Sequence, residues 1–168
     1  MTARPGDEGV ERDADVRRHV VLVEPEVHWN TGNIGRTCLG AGARLHLVQP
    51  LGFSLEDRQV RRAGLDYWPR VDLRVWPDFE AFLADARPGA GELAVFSARA
   101  VRPHYELPRS PRLFLVFGSE TRGLRPELLR RYEEAAYRIP ITDAIRSLNL
   151  SSSVGIALYE SLRGAGRG

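Results

Sequence analysis

Lysine is absent from this chain of 168 residues: all 24 basic residues are arginine. Compositional bias is the simpler source of that preference, but its chemical consequence holds either way. No lysine is present to form a Schiff base or to act as a general base, whereas arginine suits two-pronged contacts with phosphate. There is one cysteine, Cys38, so no disulfide can form within the chain, and a reducing compartment, the cytoplasm, fits. Cys38 follows Ile34 by one helical turn, the place of a small core residue rather than a catalytic thiol. No apolar run approaches the roughly 18 residues of a membrane span, and the first residues carry no apolar signal core. The net charge of +2 is too small to diagnose a nucleic-acid partner by itself.

Several chemistries lack their residues. The four histidines, at 19, 28, 46 and 104, show no metal-ligand spacing. Neither a phosphate-binding G-x-x-x-x-G-K-[ST] loop nor a G-x-S-x-G elbow is present. GAGELA (89–94) matches G-x-G-x-x-A in form, but it precedes an apolar run instead of following one and reads as a turn.

What remains is an α/β pattern. Residues 1–18 are polar, of mixed charge and rich in turn formers, the composition of a disordered tail; 19–168 reads as one domain. Strands are expected over 20–24, 44–49, 73–76, 92–97, 113–118 and 135–141. Helices are expected over 31–41 with Gly42 as the stop, 55–64 after Ser54, 79–86 capped by Asp78, 126–134 opened by Pro126, and about 148–163. A proline-rich basic loop covers about 99–112. Strands that are continuously apolar and alternate with helices indicate a parallel sheet covered on both faces. In such sheets ligands sit beyond the carboxyl ends of the strands.

Three polar loops lie at such ends. In NTGNIGR (30–36), Asn30 or Thr31 can cap a helix and Gly32 can make a tight turn, but that reading leaves Arg36 unexplained. An arginine one turn into a helix opposes the positive end of the helix dipole, and such a residue is often aimed at an anion. In FGSETRG (117–123), Gly118 permits close backbone approach to a ligand. Glu120 is either a solvated charge or an acceptor that fixes a neighbouring loop; the residues alone do not separate these. In IRSLNLSSS (145–153), Ser147 can cap the last helix with Asn149 inside its first turn. Polar groups entering an otherwise apolar helix need partners: Asn30 and Glu120, or a ligand.

Together these stretches resemble the SPOUT class of RNA methyltransferases, its 2′-O-ribose branch, and within that the TrmL-like subgroup acting on the tRNA wobble nucleotide. The resemblance rests on EPE (24–26), NTGNIGRTC (30–38), RRAGLDYW (61–68), FGSETRGL (117–124), IP (139–140) and RSLNLS (146–151), and covers about residues 20–163. It implies a six-stranded parallel sheet flanked by helices, with a C-terminal deep trefoil knot that connection rules would never suggest. It implies a homodimer with active sites at the subunit interface, S-adenosylmethionine as methyl donor, no metal, and tRNA as substrate. The cofactor pocket would draw on Phe96, Ser97, Gly118, Ile139 and Ser147. Arg36 matches the family arginine that assists loss of the acceptor proton. Because a guanidinium carries its own proton at neutral pH, electrostatic help is favoured over a free base. Asn30, Glu120 and Asn149 would shape the acceptor site, and Arg146 and Arg36 would contact RNA. The same chemistry on another RNA, such as rRNA, and a non-catalytic RNA-binding dimer are the rival readings.

The chain departs from the family pattern at three places. His28 and Trp29 stand where prolines are usual, Arg99 where a lysine is common, and FGSE has no proline before its glutamate. Without a separate RNA-binding domain, the surface itself must grip RNA, for example through Arg58, Arg61, Arg62, Arg99, Arg102, Arg109 and Arg112.

Overall fold

A computed structural model describes residues 17–56 and 66–163. The tail expected over 1–18 lies outside these apart from Arg17 and Arg18, as does most of the helix expected over 55–64. Arg58, Arg61 and Arg62 fall outside them too.

The described elements are β1 (Arg18–Val23), α1 (His28–Ala41), β2 (Arg44–Val48), β3 (Leu73–Trp76), α2 (Phe79–Ala86), β4 (Leu93–Phe96), β5 (Arg102–Pro103), β6 (Leu113–Phe117), α3 (Pro126–Arg131), β7 (Ala136–Arg138) and α4 (Leu150–Leu162). The strands form one sheet in the order β3-β2-β1-β6-β4-β7-β5. Every pairing is parallel. The sheet therefore has seven strands rather than the expected six. The added strand is Arg102–Pro103, two residues of the proline-rich loop that pair with Tyr137 and Arg138 at the sheet edge. Proline is tolerated there because an edge strand has a side that needs no ladder donor.

The central strands β1, β2, β4 and β6 are buried along their whole length. Side chains alternate between faces, as strand geometry requires. Val20 and Leu22 join Ile34, Cys38, Val154 and Leu158 in one core, while Val21 and Val23 join Phe82, Val95 and Val116 in the other. Helices α1 and α4 pack on each other over the first face. Burial pushes the Cys38 thiol up to about 12, so it remains protonated and serves the core.

Buried polar groups in the strands are all partnered. The guanidinium of Arg18 donates to the carbonyls of Arg17, Ser110, Pro111 and Ser161, which ties β1 to the end of α4. Arg44 pairs with Asp72 at 2.8 Å. His19 and His46, 27 residues apart, meet with Nδ1 and Nε2 2.9 Å from each other. Trp76 donates its indole N–H to His46 Nδ1 at 3.0 Å. His46 must then carry its proton on Nε2 and donate it to His19. Among the described residues no helix is long and apolar enough to cross a membrane.

Candidate active site

Helix α1 begins at His28, three residues earlier than the sequence indicated, and this changes the reading of its first loop. Its N-cap is Val27, whose side chain caps nothing. Asn30, Thr31 and Gly32 lie inside the helix and are buried, so none of them caps it or makes a turn. Arg36 is consequently two turns in, beyond the reach of the terminal dipole. The cap comes from far away in sequence. Glu120 accepts from the backbone N–H of Glu26 at 2.7 Å and of Val27 at 3.1 Å. A carboxylate set against a helix N-terminus satisfies orphan donors and complements the dipole. Of the two readings of Glu120, the fixing acceptor is the one observed. Thr121 strengthens the join by donating to the Glu26 carboxylate.

A second correction concerns α4. Its N-cap is Asn149, whose Oδ1 accepts from the N–H groups of Ser151 and Ser152; Ser147 lies before the helix and does not cap it. With Oδ1 so used, Asn149 donates through Nδ2 to Asn30 Oδ1 at 3.1 Å. Asn30 in turn donates to Glu120 Oε1 at 3.3 Å. The result is a one-way chain, Asn149 to Asn30 to Glu120, joining all three polar loops. Asn30 is only 5% exposed, so its amide needs both partners.

Gly118 has a further, structural reason to be glycine. A Cβ there would lie 2.0 Å from the Gly123 carbonyl carbon and 2.1 Å from the Leu124 nitrogen. The glycine is needed where the loop folds back on itself. Gly123 makes the return possible with φ of 66°, and Ser119 and Gly123 exchange backbone hydrogen bonds.

These loops wall a cavity of about 830 Å³ at the carboxyl ends of β4, β6 and β7. Phe96, Ser97, Gly118, Ile139 and Ser147 all line it, together with Asn30, Glu120 and Asn149. Phe96 stacks on Phe117 with ring centres 4.7 Å apart, at the margin of the core that the cavity adjoins. Ser97 donates its N–H to the Tyr137 carbonyl, fixing the turn after β4. Arg36 and Arg146 do not line this cavity; both are exposed on the surface. The Arg36 guanidinium stands 5.7 Å from the centre of the Tyr67 ring.

Four arginines do line the cavity: Arg99, Arg122, Arg130 and Arg138. Sequence reasoning named only the first, because the others converge from a loop, α3 and β7. No ion pair engages these four among the described residues. Arg112, by contrast, is held by Glu92 at 2.7 Å and by the carbonyls of Ala86 and Arg87.

Residues 17–159 match the family model described as the SpoU rRNA Methylase family. The chain belongs to this family. It is 45% identical over 149 residues to a protein of Burkholderia pseudomallei named tRNA (cytidine(34)-2′-O)-methyltransferase, covering 88% of this chain and 96% of that one. A solved structure described as giving insight into the 2-OH methylation of C/U34 on tRNA superposes with a TM-score of 0.80 at 43% identity, covering 89% and 97% of the two chains. An AdoMet-bound rRNA methyltransferase from Sinorhizobium meliloti superposes with a TM-score of 0.78 at 26% identity, over 88% of this chain and 56% of that one. The hydrogen-bonded Asn149–Asn30–Glu120 chain gives the three polar loops of this member a common geometric purpose.

Proposed function

We propose that this chain transfers a methyl group from S-adenosylmethionine to the ribose 2′-hydroxyl of the wobble nucleotide, cytidine 34 or uridine 34, in tRNA. The observation that carries this is the Asn149–Asn30–Glu120 chain beside a cavity at the strand ends, in a protein that spans nearly all of a relative named for that reaction.

The cavity suits the cofactor. Its lining joins apolar side chains, among them Phe96, Phe117, Ile139 and Leu148, to the polar groups of Ser97 and Ser147, the mixture an adenosine with a charged tail needs. Phe96, Ser97, Gly118, Ile139 and Ser147 would hold it. When bound, it supplies a methyl already activated on a sulfonium. The protein's task is then positioning and charge stabilisation. Asn30 and Asn149 orient hydrogen-bonding groups at the acceptor side. Glu120 acts as the clamp that locks helix α1 to the loop walling the cavity; already accepting three hydrogen bonds, it serves structure rather than as the base. Arg36 supplies a positive charge to the acceptor hydroxyl or its phosphate.

The position of Arg36 supports a homodimer: it lies outside the cavity of its own chain, and a second copy would present it to the site. Trp29, 59% exposed on α1, and Ile156 and Tyr159 on α4 give the paired helices an apolar outer surface for that copy. We read the C-terminal segment as knotted. In support, after β7 the chain returns past β4, and α4 packs on α1, β1 and β6. Arg99, Arg122, Arg130 and Arg138 would meet the tRNA backbone at the cavity mouth, with Arg146 on the adjoining loop. The cytoplasm, where tRNA is modified, fits the lone buried thiol.

Incubation with methyl-labelled S-adenosylmethionine and separate pools of tRNA and rRNA, followed by mapping of the labelled ribose, tests this. Label at position 34 of tRNA supports the reading. Label in rRNA alone transfers the same chemistry to another RNA, and no label with retained cofactor binding leaves an RNA-binding dimer.

A further inference from the structure

The RRAGLDYW stretch marks the subgroup but has no task in the reading above. Its described end, Tyr67 and Trp68, presses against α1 beside Arg36. The Tyr67 hydroxyl donates to the Gly32 carbonyl at 2.9 Å. In an α-helix that same carbonyl accepts the N–H of the residue four positions on, which is Arg36. The Tyr67 ring lies under the Arg36 guanidinium at 5.7 Å, inside the roughly 6 Å reach of a cation–π contact. Trp68 closes the seat: a Cβ on Gly35 would fall 2.5 Å from its ring, so only glycine lets the turn approach this closely.

We propose that Tyr67 is a positioning residue for Arg36, its ring restricting the guanidinium borne by the adjoining turn of α1. The proposal rests on the reading that Arg36 serves the methyl transfer. An exposed arginine samples many rotamers, and a charge that acts in a transition state must be held in place beforehand. Among the described residues no carboxylate forms an ion pair with Arg36, so its charge is kept for a ligand while an uncharged ring limits its motion. Burial raises Tyr67 above the ordinary phenol range, opposed in part by Arg36, so it remains a donor at neutral pH.

The test uses the full chain with Arg36→Ala, Tyr67→Phe and Tyr67→Leu. It measures kcat and KM on tRNA, affinity for S-adenosylmethionine and melting temperature. Arg36→Ala should show no detectable transfer. Tyr67→Leu should lose roughly tenfold or more in kcat, while Tyr67→Phe, which keeps the ring, stays within about threefold of the parent. Cofactor affinity should hold in all three. Should Tyr67→Leu fail to fold, Tyr67→Met carries the same comparison at similar volume. An unchanged kcat in the aliphatic variants, with Arg36→Ala inactive, overturns the positioning role alone. Equal losses in Tyr67→Phe and Tyr67→Leu, or a loss that follows melting temperature and cofactor affinity, reduce Tyr67 to a structural brace and overturn it as well. Normal transfer by Arg36→Ala overturns the reading of Arg36, and the Tyr67 role falls with it.

Discussion

Glu120 accepts three hydrogen bonds, from Glu26, Val27 and Asn30. Two of these are backbone donors at the start of α1, so the residue does the work of a helix cap from about 90 positions away. Glu120→Ala would leave three donors short of their acceptor and is expected to cost about 1–3 kcal/mol of stability, measurable by urea unfolding. Transfer should fall along with it, since the Asn30 amide loses its anchor. Gly118 poses a sharper steric test. An added methyl at 2.0–2.1 Å from the Gly123–Leu124 backbone cannot be absorbed by a flexible side chain. Gly118→Ala is therefore expected to push the loop 118–124 away from β6 and weaken S-adenosylmethionine binding by about tenfold or more, read by calorimetry. Undiminished affinity in that variant would show that the loop is not a wall of the cofactor site.

Helix α1 is the element on which both the acceptor side and the proposed subunit contact depend. Its outer turn is seated by Trp68 against Gly35, and Gly35→Ala forces a methyl into the indole ring at 2.5 Å. A loss of about 1–3 kcal/mol is expected from this overpacking, with a lowered melting temperature as the readout. The same helix shows where sequence reading succeeds and where it stops. Its end was legible because Gly42, with φ of 69°, is a local signal. The helix Phe79–Ala86 was legible throughout because Asp78 caps it within the same stretch, accepting from Ala81 at 2.7 Å. The start of α1 was not legible, since its cap arrives from another loop, and Asn30 and Thr31 imitate cap residues while sitting inside the helix. The strand Arg102–Pro103 was hidden for a related reason: two residues have no periodicity, and only pairing with β7 makes them a strand. In the site, residues carried by one motif were found, and Arg122, Arg130 and Arg138 were missed because three separate elements bring them together.

At the scale of the whole molecule, the parallel register sets His19 and His46 side by side in the core on the face opposite α1. Burial foremost, then the neighbouring His19, Arg44 and Arg74, hold the His46 imidazole well below its ordinary range. A histidine that resists protonation only when folded binds fewer protons in the native state than in the unfolded one. Its contribution to stability is thus complete above the unfolded value of about 6.5 and is lost as pH falls below it, by up to about 1.4 kcal/mol per pH unit. The melting temperature should drop between pH 7.5 and 5.5, and His46→Gln should flatten that slope. The sheet also places its three polar loops at one end, joined by Asn149, Asn30 and Glu120, where an acceptor ribose and an activated methyl can meet. The most direct measurement is transfer of labelled methyl to tRNA with the product ribose mapped by nuclease protection. The expected result is a 2′-O-methyl group at nucleotide 34, lost in Arg36→Ala with cofactor affinity intact. Methylation at another position, on a base rather than a ribose, or undiminished in Arg36→Ala, would contradict it.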